Sequence, residues 1–167
     1  SRSNCYGTNK YHRKNPIKEF DLNQTMYSLV TNESKDDLDL KATGFMGHDM
    51  SYRDLIISSD KLAQAFHNAG VKNGDNVAIL TISMPIVQQS LLSLSKIGAT
   101  MSWIDLRSKA KDVIKYINNS NCETIIVFED MLPLIESIIN ETNVKKVIVS
   151  SPKDYLSPMI KVLATLK

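Results

Sequence analysis

The apolar residues of this chain keep a helical rhythm over some stretches and form short unbroken runs over others. From Ser51 onward, Leu55, Leu62, Ala63, Phe66 and Ala69 recur at helical spacing and form one stripe, with His67 on the opposite, polar side. Both ends of this helix are legible. Ser51 can accept hydrogen bonds from the free N–H groups of the first turn, and Asp54, three residues on, makes an acidic variant of a capping box. Gly70 suits the left-handed residue that ends a helix, and Val71 can fold back on Phe66. Four short apolar runs follow, Asn76–Ile82, Ala99–Ile104, Glu123–Phe128 and Lys145–Val149, and are predicted as strands covered on both faces. Between them lie helices over Pro85–Ile97 (Val87, Leu91 and Leu94 on one face), Ala110–Asn119 (Val113, Ile114, Ile117) and Met131–Asn140 (Leu134, Ile135, Ile138, Ile139). Gly98 is placed to stop the first of these and Ser108 to cap the second. The expected fold is α/β, a parallel sheet with helices on both faces joined by right-handed crossovers.

Ahead of this unit the pattern predicts a short helix over about Thr25–Asn32 and a small β-hairpin, LKATGFMGHDMSY, turning at Gly47 and His48. Residues 1–20 show neither rhythm and are expected to be an arm lying over the surface or partly disordered; residues 21–167 form the lobe. After the last strand, Leu156, Met159, Ile160 and Leu163 recur as in a helix, so Asp154–Lys167 is predicted as one more.

Composition narrows the function classes. With 167 residues, 43% hydrophobic and 23% charged, the chain can bury a core of its own. Twenty basic against 18 acidic residues give a formal charge of +2, too little for a phosphate-tracking surface, so nucleic acid is not an expected partner. The longest nearly apolar run, Val77–Val87, is broken by Thr81, Ser83 and Pro85 and is shorter than the roughly 18 residues of a membrane span. No apolar segment follows the basic N-terminus to complete a secretory signal, and a cytoplasmic location is expected. Cys5 and Cys122 are far apart without metal-ligand spacing, and Cys122 is read as a buried free thiol.

Chemistry is sparse. Gly7, Gly44, Gly47, Gly70, Gly74 and Gly98 match neither the dinucleotide fingerprint nor a Walker loop. Gly70–Gly74 lies between a helix and a strand, the reverse of what a phosphate loop requires. His12, His48 and His67 have no partner at metal-ligand spacing, and no G-x-S-x-G elbow is present. The C-terminal edge of the sheet remains, because open parallel sheets bind ligands in the crevice there. Its loops carry Ser83, Met84, Asp105, Arg107, Glu129, Asp130, Ser150 and Ser151. Each also has a structural reading: Ser83 and Asp130 as helix caps, Asp105 with Arg107 as a loop ion pair.

The ordered series TMYSLV, SYRDL, GVKNGDNVAIL, KIGAT, IDLR, INNSNCETIIV and NVKKVIVSSPKDYL, running from Thr25 to the end, resembles the N-terminal part of the AMP-forming, adenylate-forming enzymes, above all the acyl-CoA synthetases. It departs where that family often has Asn near Ser83 or Met84 and Pro near Leu106. The resemblance implies a parent that joins a carboxylate to coenzyme A through an acyl-adenylate, using ATP, Mg and coenzyme A. The Ser/Thr/Gly-rich phosphate loop, the ribose-binding Asp and the catalytic Lys of that family have no counterparts here. The chain is therefore expected to be a truncated first lobe, with no catalytic, cofactor-binding or metal-binding residue of its own, whose partner is the remainder of its polypeptide. Two other readings are a self-contained flavodoxin-like module for a small ligand and a non-catalytic structural fragment.

Overall fold

A computed structural model describes residues 21, 23–152 and 161–164, the last four by backbone alone. The expected arm falls outside the described residues. The first helix, α1, is Met26–Glu33, capped by Thr25, whose Oγ1 accepts from the Ser28 amide. Strands β1 (Lys41–Phe45) and β2 (His48–Ser51) form the antiparallel hairpin. Its turn is one residue earlier than expected: Met46 and Gly47 are the central residues, both with positive φ (50° and 82°), and His48 already belongs to β2. Two left-handed residues match the twist of a two-residue hairpin, which explains the position of the glycine.

Helix α2 is Tyr52–Asn68. The Ser51 hydroxyl accepts from the Asp54 amide at 3.1 Å and donates to the Asp54 carboxylate at 2.8 Å. At the other end the Gly70 amide donates to the His67 carbonyl and the Val71 amide to the Phe66 carbonyl, the paired bonds of a Schellman stop, with Gly70 at φ 86°. Leu55, Leu62, Ala63, Phe66 and Ala69 are buried and His67 is exposed, as the stripe predicts.

The main sheet contains β3 (Asn76–Leu80), β4 (Thr100–Trp103), β5 (Thr124–Phe128), β6 (Lys146–Ser150) and β7 (Lys161–Ala164), in the order β4-β3-β5-β6-β7. The first four are mutually parallel. Helices α3 (Pro85–Ile97), α4 (Ala110–Asn119) and α5 (Leu132–Ile138) connect them, and short 3₁₀ turns flank α5. Alternation along the strands sorts the core into two layers. Val77, Ile79, Ile126 and Ile148 pack with Leu62, Phe66, Val87 and Leu94 of α2 and α3. Ala78, Leu80, Ile125, Val127 and Val147 pack with Val113, Ile117, Ile135 and Ile138 of α4 and α5. The sheet is thus covered on both faces, which is why its strands are apolar at consecutive positions.

Three expectations are corrected. The tail does not continue as a helix at 161–164: these residues form β7, antiparallel to β6 with Lys146 opposite Ala164 and Val149 opposite Lys161. The outer edge of β6 would otherwise leave a row of N–H and C=O groups unpaired, and this long-range pairing overrides the helical spacing. The rest of the expected helix, residues 154–160 and 165–167, lies outside the described residues. On α3 the buried residue is Leu92, 4% exposed, whereas Leu91 is 38% exposed. Leu92 packs with Met50 and Leu55, a small cluster joining the hairpin to α2 that the sheet-facing period does not include. Finally, Met84 rather than Ser83 precedes α3, and Lys109 rather than Ser108 precedes α4, neither supplying a side-chain cap.

Helix α1 buries no residue fully and is held by a polar knot. The Tyr27 hydroxyl donates to the Asp60 carboxylate at 2.7 Å, and Lys96 reaches the same oxygen at 2.7 Å while its ammonium lies 4.5 Å from the Tyr27 ring centre. Burial and the Asp60 bond raise the Tyr27 pKa, and the Asp60 bond raises that of Lys96, so both keep their protons.

Candidate functional site

The loops after β3 and β4 leave the sheet toward opposite faces, the first to α3 and the second to α4. Such a divergence opens a crevice at the C-terminal edge of a parallel sheet. A shallow groove of about 580 Å³ lies there, lined by Thr81, Ile82, Ser83, Trp103, Asp105, Leu106 and Arg107.

Asp105 and Arg107 are its charged elements. Arg107 donates to Asp105 through its backbone amide (2.8 Å), Nε (3.0 Å) and a terminal guanidinium nitrogen (2.6 Å). The guanidinium bonds, then the amide, hold the Asp105 pKa at about 2, and the same pairing raises that of Arg107. The ion pair expected from the sequence is present. The Ser108 amide donates to the Asp105 carbonyl at 2.9 Å, closing a turn that takes up Ser108 and leaves Lys109 to precede α4.

The other candidates separate. Ser83 lines the groove and is exposed, whereas Met84 is buried beneath the start of α3. Glu129 and Asp130 lie in the 3₁₀ turn after β5; Asp130 caps no helix, because α5 begins after Met131 with Pro133 in its first turn. Ser150 is buried and donates to the Val127 carbonyl at 3.2 Å, and Ser151 follows it. None of these four lines the groove, since β5 and β6 lie on the far side of β3 from β4.

Sequence reasoning missed Thr81 and Trp103. Thr81 is 1% exposed and its hydroxyl is one of four buried side-chain polar atoms without a partner among the described residues. Trp103 ends the edge strand and is 50% exposed. A hydroxyl interrupting the apolar run and an aromatic at the end of a strand were the available signals. Among the described residues no three or more His, Cys, Asp or Glu side chains converge as metal ligands. The groove therefore combines a half-exposed indole with a surface charge pair, beside a buried hydroxyl that has no partner among the described residues.

A family model described as AMP-binding enzyme matches residues 31–162. The chain belongs to the AMP-binding enzyme family. Curated relatives include 4-coumarate–CoA ligase-like 8 of Arabidopsis thaliana, 32% identical over 94 residues, which are 54% of this chain and 16% of the relative. Another is the human mitochondrial acetyl-coenzyme A synthetase 2-like protein, 30% identical over 83 residues, 50% of this chain and 12% of the relative. The fold matches that of an anthranilate CoA ligase solved with anthranoyl-AMP, with a TM-score of 0.75 at 20% identity over 87% of this chain and 29% of that one. The chain thus spans under a third of each of these proteins.

Proposed function

We propose that this chain is the N-terminal portion of an ATP-dependent, AMP-forming acyl-CoA synthetase, an acid–thiol ligase that acts through an acyl-adenylate. The observation that carries this reading is the family match over residues 31–162, joined by curated relatives whose names are CoA ligases and synthetases. In such a ligase a carboxylate oxygen attacks the α-phosphate of ATP and pyrophosphate leaves; the coenzyme A thiol then takes the acyl group and AMP leaves. The developing charge on phosphorus demands convergent donors or cations.

The described residues do not fit a magnesium site, because no carboxylate cluster converges. Residues 21–167 act as the first lobe and contribute no catalytic, metal or cofactor-binding residue. The lobe supplies a rigid sheet edge, and the remainder of the polypeptide, its partner, supplies phosphate-binding groups, ATP, Mg and coenzyme A sites. No described helix is long and apolar enough to cross a membrane; a cytoplasmic location remains part of the proposal.

Calorimetric titration of the 167-residue chain with ATP is expected to give no heat of tight binding, while the longer polypeptide that contains it forms acyl-CoA from a carboxylate, ATP and coenzyme A. Tight ATP binding by the chain alone would favour a self-contained ligand-binding module and would return the groove at Thr81, Asp105 and Arg107 to a direct role.

A further inference from the structure

Asn73 is the one asparagine of the sequence that is followed by glycine. The turn that carries it, residues 72–75, joins the end of α2 to β3 and is exposed at Lys72, Asn73 and Gly74. The amide carbon of an asparagine side chain is one bond short of a ring with the next residue's backbone nitrogen, and glycine leaves that nitrogen without a side chain in the way. The surroundings leave it open as well, since a Cβ built at Gly74 would meet no atom within 4 Å. A hydrogen bond restrains the nitrogen. The Gly74 amide donates to the Gly98 carbonyl at 2.9 Å, so its proton is engaged and it faces the end of α3. That bond is part of a staple: the Thr100 amide donates to the Asp75 carbonyl at 2.9 Å, and the Asn73 side chain packs against Gly98, its Cγ 3.0 Å from where a Cβ on that glycine would lie. The staple ties the start of β3 to the start of β4, the edge strand that ends in Trp103.

We propose that Asn73 with Gly74 is a self-modification site, gated by the hydrogen bond from Gly74 to Gly98, whose product loosens the start of β4. When the bond opens, the Gly74 nitrogen gives up its proton and bonds to Cγ of Asn73. The Cγ–Nδ2 bond breaks, and the side-chain nitrogen leaves as ammonia, taking that proton with it. Water then opens the resulting succinimide. Opening at Cγ restores the ordinary backbone with an aspartate at position 73, whereas opening at the backbone carbonyl carbon routes the chain through the side chain as isoaspartate. Either product places a carboxylate at the C-terminal end of α3, where the last helix carbonyls already carry partial negative charge, and two positions from the Asp75 carboxylate. The isoaspartyl product also adds a carbon to the backbone path, which shifts the Gly74 amide and the Asp75 carbonyl relative to their partners at Gly98 and Thr100.

Peptide mapping of the 167-residue chain held at mildly alkaline pH reads the site, because trypsin releases residues 73–96 as one peptide. Over weeks that peptide should gain the mass of an amide-to-acid change, fragment ions should place the gain at Asn73, and isoaspartyl methyltransferase should label it. In urea, where the bond to Gly98 is gone, the gain should be several-fold faster. The Asn73→Gln variant, which lengthens an exposed side chain and disfavours ring closure, should show no gain in this peptide. In aged folded chain the Thr100 amide should exchange with solvent several-fold faster than in fresh chain. No gain in the folded chain, a gain that survives in Asn73→Gln, equal rates with and without urea, or unchanged exchange at Thr100 after ageing would each overturn the proposal.

Discussion

Leu91 and Leu92 are chemically identical neighbours on α3, and the fold assigns them opposite fates. Leu92 is 4% exposed and packs with Met50 and Leu55, whereas Leu91 is 38% exposed. Truncating Leu92 to Ala removes three buried carbons and leaves a cavity where the hairpin, α2 and α3 meet, at a cost of about 2–5 kcal/mol. A domain of this size loses about 2–4 °C of melting temperature per kcal/mol, so Leu92→Ala should melt roughly 4–20 °C lower. Leu91→Ala should fall within about 1 kcal/mol of the parent, since an exposed residue loses little burial. Because both substitutions are Leu→Ala in one helix, helix propensity and unfolded-state effects nearly cancel in the comparison. Urea titration with a common slope, followed by circular dichroism, measures the difference. Equal losses for the two variants, or a larger loss for Leu91→Ala, would refute the phase of α3 and with it the packing of the hairpin onto the lobe.

Other predictions follow from single contacts. The Asp105 carboxyl should titrate at about 2 by NMR, and Arg107→Ala should return it to the ordinary carboxylate range. Its pKa is lower folded than unfolded, so any stabilisation is present above the unfolded value of about 4 and lost as pH falls toward 2. Burial pushes the Cys122 thiol up to about 11, so peptide mapping should find it unalkylated in the native chain near pH 8 and alkylated in urea. The raised value adds stability below the unfolded thiol pKa of about 8.5, and that stability is lost as pH rises toward 11. Gly70→Val should cost about 1–3 kcal/mol in chemical denaturation, because φ 86° is strained for a β-branched residue and its Cβ would meet the Lys146 ammonium at 3.0 Å.

What the sequence made legible was local. The Ser51 cap, the Gly70 and Gly98 stops and the four parallel strands all follow from period and punctuation, because these features depend on residues a few positions apart. What stayed hidden depended on partners distant in the chain. Leu92 is buried because Met50 and Leu55 come to it, and the tail residues 161–164 are extended because β6 offers them an edge. Thr81 and Trp103 join Asp105 and Arg107 only once β4 is placed beside β3, an order that strand periodicity does not encode. Resemblance contributed separately: seven short segments in order named the family.

We propose that this lobe belongs to an adenylate-forming ligase whose reacting groups lie elsewhere in the polypeptide. Carboxylate-dependent exchange of labelled pyrophosphate into ATP tests it most directly, measured for the 167-residue chain and for the longer polypeptide that contains it. Exchange by the longer protein and none by the chain is the predicted result. Exchange by the chain alone, or none by the longer protein across aliphatic and aromatic carboxylates, would contradict it.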